Sequence, residues 1–203
     1  FPNSFNDFLK VIISADGEKV DGQPHANALG NHLGIWDFYY TKKNKSNILK
    51  FYYQHFFEDT SGLRFANRLD GLWGFEYRDL SSGFNFLMEY LNTSNQDRDP
   101  PYVSENYYNH GEYTLGWSYK GYVIGNPFIN NINNNPSKVI HAGISNNDFN
   151  NYKFKILLSK RIDTNNTLMY SLSIGKIFEN FTTSFFINGM KSENMGLRIL
   201  YDI

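Results

Sequence analysis

Apolar and polar positions alternate with a period of two along most of this chain. Between Leu72 and Arg78, Trp73, Phe75 and Tyr77 fall on one face, while Gly74, Glu76 and Arg78 fall on the other. The same split sets Tyr152, Phe154, Ile156 and Leu158 against Lys153, Lys155 and Ser159, and Leu168, Tyr170, Leu172 and Ile174 against Ser171 and Ser173. A period of two belongs to a strand whose two sides meet unlike environments. The pattern predicts about ten strands, centred on 8–14, 34–42, 48–58, 71–79, 84–92, 113–124, 138–146, 151–162, 167–177 and 180–189, with a last one at 195–203. Connections fall into two sizes. Short, turn-like ones are 43–47, 80–83, 163–166 and 190–194; longer ones are 16–32, 60–70, 93–112 and 126–137. That asymmetry separates the periplasmic turns of a membrane barrel from its external loops.

The chain has 203 residues, 41% hydrophobic and 18% aromatic, yet its mean hydropathy is -0.50. A barrel in lipid reconciles the two, because half of each strand faces water and the loops are polar. No stretch approaches the ~20 consecutive apolar residues of a membrane-spanning helix. A closed sheet is the other spanning solution that satisfies its own backbone. The fold class expected is therefore all-β, a transmembrane antiparallel β-barrel in the outer membrane. The net charge of -1 gives no bulk electrostatic case for nucleic acid. The lack of cysteine excludes disulfide scaffolds, thiolate metal sites and Cys nucleophiles. A barrel must be exported, so a leader is expected to have preceded Phe1.

Two blocks carry a family resemblance. One is NALGNHLGIWDF followed by YYQHFFEDTSGLRFANRLDGLWGFEY, between Asn27 and Tyr77; the other is NYYNHGEYTLGWSYKGYVIGNP, from Asn106 to Pro127. Together they resemble the capsule assembly protein Wzi family, particularly its versions in Bacteroidetes, with similarity expected from near Phe5 to the C-terminus. The resemblance implies an outer-membrane barrel of roughly eighteen strands with a small helical region on its N-terminal side. Residues 1–203 would then be the C-terminal half. It also implies a lectin-like surface anchor for capsular or exopolysaccharide, with no enzymatic activity and no cofactor. One departure stands out: the family pattern has Gly-Arg where this chain has Gly121-Tyr122. Loss of that positive charge would favour a neutral sugar if the arginine contacts an acidic one in relatives.

The first block concentrates Glu58, Asp59, Arg64, Arg68 and Asp70 beside His55, Phe57, Phe65 and Trp73. Sugar recognition needs donors and acceptors for hydroxyls and aromatic faces for the apolar side of a pyranose, and these residues can supply both. The alternative is an interior salt-bridge lattice that braces the wall and folds a loop inward; the two are compatible. In the second block Tyr113, Leu115, Trp117 and Tyr119 share a face suited to a lipid-side girdle. The residues from Tyr107 to Glu112 are expected at a rim, where Asn109, His110 and Glu112 are polysaccharide candidates. A metal site at His55, Glu58 and Asp59 is disfavoured, because His55 and Glu58 do not share a strand face. No Gly-X-Ser-X-Gly elbow supports a hydrolase.

Lys50, Glu58, Glu76, Arg78, Glu89, Lys153 and Arg198 are expected to make a polar lumen. The partners expected are outer-membrane lipid and polysaccharide, with other envelope proteins as further candidates. A porin-like channel and a structural subunit of a larger envelope complex are the competing readings, since their lumens would look the same in sequence.

Overall fold

A computed structural model describes residues 3–13, 15, 17–18, 21, 29, 33–58, 63, 65–95, 107, 118–120, 122–123, 128–129, 136–163, 168–189 and 193–201. Among the described residues, helix α1 (Phe5–Ile12) precedes the strands β1 (Gly34–Lys43), β2 (Asn47–Phe57), β3 (Gly71–Asp79), β4 (Phe84–Asn92), β5 (Ser118–Tyr119), β6 (Tyr122–Val123), β7 (Lys138–Phe149), β8 (Tyr152–Arg161), β9 (Leu168–Ile177), β10 (Phe181–Gly189) and β11 (Glu193–Tyr201). Nine of them form one sheet in the order β1-β2-β3-β4-β7-β8-β9-β10-β11, and β5 pairs with β6 in a separate two-stranded ribbon. Among the described residues no helix is long and apolar enough to cross a membrane. The all-β, antiparallel architecture expected from the alternation is the one observed, as an open nine-stranded sheet consistent with a barrel wall.

Two long connections, after β2 and β4, stand among otherwise short ones. Those after β1, β3, β7 and β9 are tight turns at one end of the sheet, whereas residues 58–70 and 93–137 join strands at the other end. The turns are built by local chemistry. Asp79 Oδ1 accepts from the Ser81 N–H at 2.8 Å and the Ser81 hydroxyl at 2.6 Å, closing an Asx-type turn that Gly83 completes at φ +69°. Asn150 and Asn151 take φ of 53° and 65°, the left-handed pair of a two-residue hairpin whose twist matches its strands.

The chain divides into two compact units. The first comprises Phe1–Asp37, Gln54–Leu72 and Asn92–Ser137; the second comprises Phe38–Tyr53, Trp73–Leu91 and Lys138–Ile203. In the second unit the register separates the side chains by chemistry. Ile144 pairs with Ile156, Ile156 with Leu172, and Phe185 with both Ile174 and Leu197, all on one face. Ser145 with Lys155, Lys155 with Ser173, and Ser184 with Arg198 occupy the other. The apolar face is the one left exposed: Leu172, Ile174, Leu197 and Ile199 are all exposed. Such an inversion of the usual burial rule fits a wall with hydrocarbon outside.

Rings fill places where the facing strand carries glycine. A Cβ added to Gly74 would lie 2.0 Å from Tyr52 Cζ, and one on Gly189 or Gly196 would lie 2.4 or 2.6 Å from Tyr170 or Phe186. Aromatic cover of a strand glycine shields backbone that would otherwise be bare, and supports pairing.

Two sequence expectations change. The segment expected as a strand over 8–14 is helical, because Ser4 and Asp7 form a reciprocal capping box and Phe5, Phe8, Leu9 and Ile12 fall at helical spacing. The single strand expected over 113–124 is, in its described part, two short strands joined through Lys120, which takes φ 49°.

Candidate functional site

The long connections after β2 and β4 belong to the first unit, and their described residues meet in a buried polar network. Residues 65–70 form a compact turn: Arg68 N–H donates to Phe65 O at 3.1 Å and Asp70 N–H to Asn67 O at 2.8 Å. Phe65 sits at φ 62° and stacks on His55, with ring centroids 4.5 Å apart, and on Trp36 at 6.4 Å. The turn leads into Gly71, whose φ of 142° is open to glycine and costly for other residues.

Asp70, His55 and Tyr107 have 0% exposure, and Asn67 has 4%. Asp70 Oδ1 accepts from the Asn95 backbone N–H at 2.8 Å and from Asn95 Nδ2 at 3.1 Å, while Oδ2 accepts from the Tyr107 hydroxyl at 3.1 Å. Asn67 Nδ2 donates to that hydroxyl and to Phe56 O at 3.2 Å. The Phe56 ring meets the Tyr107 ring edge-on at 5.8 Å. Nearby, Asn92 Nδ2 holds Leu69 O at 3.2 Å, and Ser137 N–H donates to Thr93 Oγ1 at 2.8 Å. The network thus ties the start of the 93–137 connection, and Tyr107 within it, to the turn at 65–70, while Ser137 at its far end is bonded to Thr93 at its start.

Electrostatics follow from that burial. Loss of hydration pushes the Asp70 carboxyl above its usual range, opposed by the hydrogen bonds from Asn95 and Tyr107 and by the charge of His55. The Tyr107 phenol is raised well above its ordinary value, first by burial and then by the Asp70 charge beside it. Tyr107 therefore stays a neutral donor and Asp70 an acceptor, a division of roles suited to holding two loops together.

The predicted site residues separate on this geometry. Asp70 is interior, Glu58 is half-buried just past the end of β2, and Arg68 is exposed on the turn. Asp59, Arg64, Asn109, His110 and Glu112 lie outside the described residues. Tyr107, expected at a rim, is wholly buried, because its hydroxyl has two buried partners to satisfy. Trp73, considered as a sugar platform, is on the apolar face in a stack with Tyr53 at 4.0 Å. Among the described residues no three His, Asp or Glu side chains are grouped to hold a metal ion. Sequence reasoning missed Asn67, Asn92, Asn95, Thr93 and Ser137. Short amides and hydroxyls at strand ends were the available signal, since such residues habitually bond nearby backbone.

The second unit holds a cavity of about 940 Å³ of mixed character, in which Lys50, Tyr52, Glu76, Arg78, Glu89, His141 and Lys155 stand among apolar side chains such as Leu87 and Leu157. Lys50 Nζ lies 3.4 Å from Glu76 Oε1 and 4.8 Å from the centre of the Tyr52 ring; the Tyr52 hydroxyl donates to Glu89. His141 pairs with Ser159. Lys153 and Arg198 share this face by register. These strand residues share one face of the sheet, while Glu58 stands beyond its strand.

No match was found among curated proteins or among solved structures. The family model for capsule assembly protein Wzi matches residues 1–143, ending within β7 rather than at the C-terminus. With its exposed apolar sheet face, its polar opposite face and the match over most of its length, the chain belongs to the Wzi family of outer-membrane capsule assembly proteins.

Proposed function

We propose that the protein binds and anchors capsular or exopolysaccharide at the cell surface, without catalysis. The observation that carries this reading is the buried Asn67–Tyr107–Asp70–Asn95 network, which fixes the two long connections to each other. A rigid loop platform lets polar side chains meet a polymer without ordering themselves at each encounter. Arg68 and Glu58, together with Asp59, Arg64, Asn109, His110 and Glu112, are the proposed sugar contacts. Asp70 positions the turn that carries Arg68. Retention of a repeating polymer then comes from many weak contacts rather than one deep pocket.

Deletion of the gene is expected to release polysaccharide into the medium while synthesis continues, and Arg68→Ala to reproduce part of that release with normal barrel assembly. Unchanged cell-associated polysaccharide in the deletion strain would refute the anchor. A porin-like channel is the second reading, favoured by the charged cavity around Lys50 and Glu76. A large steady conductance in planar bilayers would support it over the anchor.

A further inference from the structure

The exposed apolar face of the second unit is not uniform. On β8 to β11 it is largely aliphatic, through Ile156, Leu172, Ile174 and Leu197. On β1 to β4 it carries two rows of contacting rings running across the strands, the first stacked and the second tilted. One row is Phe38, Tyr53 and Trp73, with centroids 6.3 and 4.0 Å apart and planes within 12° and 23°. The other is Phe51, Phe75 and Phe86, with centroids 4.9 and 6.1 Å apart. The rows stand two residues apart along each strand, roughly 7 Å. Between them lies an apolar groove of about 670 Å³, which Met88 and Ile140 also line.

We propose that this groove binds one acyl chain of an outer-membrane lipid. The groove is continuous with the face that meets hydrocarbon in this outer-membrane family, so lipid is the solvent that reaches it. Its volume falls within the roughly 300–1,000 Å³ of small-molecule sites. Its walls are rings already held against each other, so ordering them costs little when a chain enters. Its chemistry selects against other occupants. A sugar would leave most of its hydroxyls unpaired against a lining that exposes little polar surface, and an extended peptide would find no edge along β2 or β3, which are paired on both sides. An unbranched hydrocarbon asks for neither.

The test uses protein purified from outer membranes in mild detergent and stripped of lipid, titrated with phosphatidylethanolamine brominated on its acyl chain. Trp73 stands in the wall, so the difference between the protein and its Trp73→Phe variant isolates that ring's quenching. The expected result is saturable quenching at a single lipid per chain. Met88→Phe, which narrows the groove, should weaken it several-fold, and Leu197→Phe on the same face of β11 should leave it unchanged. If Met88→Phe does not assemble, Ile140→Phe obstructs the same groove and gives the same readout. Quenching that rises without saturation, equally in all variants, would overturn the site and leave only general lipid contact. So would a dimer in which Trp73 is shielded from the brominated chain, because a second copy would then occupy the groove.

Discussion

Tyr107→Phe removes one oxygen from the centre of the loop network and nothing else. Asp70 Oδ2 then loses its hydroxyl donor, and Asn67 Nδ2 keeps only Phe56 O. Both residues are too deeply buried for water to replace what is lost. Losing a hydrogen bond to a buried charged group costs roughly 1.5–3 kcal/mol. About 2 kcal/mol of lost local stability corresponds to roughly thirtyfold faster opening. The Asn95 amide, which donates to Asp70 Oδ1, reports that opening directly by hydrogen exchange. Acidity supplies a second check. Because burial raises the carboxyl of Asp70, the folded network binds a proton more tightly than the unfolded chain does. Its contribution is therefore complete below the ordinary carboxylate range and is lost as pH rises through the raised value. Protection of Asn95 should grow in mild acid, more steeply in Tyr107→Phe, and should lose this dependence in Asp70→Asn. Equal protection in Tyr107→Phe and the parent would refute the network as the element that holds the loops.

Two further outcomes follow from the sheet. Gly74→Val places a side chain where the Tyr52 ring lies, and should displace the ring from Glu89; overpacking of this kind costs about 1–3 kcal/mol, read as a lower temperature for the heat-induced mobility shift of the folded barrel. Ile156→Arg puts a charge on the lipid face between Ile144 and Leu172, and should cost roughly 2–4 kcal/mol in urea unfolding from vesicles, whereas the same change at Ser173 on the opposite face should cost far less.

Most of the sheet was legible in the sequence because the two faces of each strand meet different solvents. Trp73-Phe75-Tyr77 and Tyr152-Phe154-Ile156 alternate without interruption, and both lie in strands close to the expected bounds. The N-terminal segment was not legible as a strand because FLKVII is a short apolar run with no clear period, and the capping pair Ser4 and Asp7 outside it decides for helix. The site divides in the same way. Clustered Glu58, Arg68 and Asp70 drew notice by charge, but their separation into half-buried, exposed and interior depends on Asn95 and Tyr107, which lie 25 and 37 residues from Asp70 in the chain. Contacts of that span leave no trace in local composition.

The ring-over-glycine contacts also bear on how the wall finds its alignment. Sliding β11 past β10 by one residue would turn Arg198 toward lipid, which alternation already forbids. Sliding by two keeps every side chain on its proper side, and alternation is blind to it. In the native pairing Phe186 faces Gly196; a two-residue slip would set it against Asn194 or Arg198, where no empty seat awaits the ring. Each such contact therefore acts as a key that fits one notch, and errors that hydrophobic order tolerates are rejected by size.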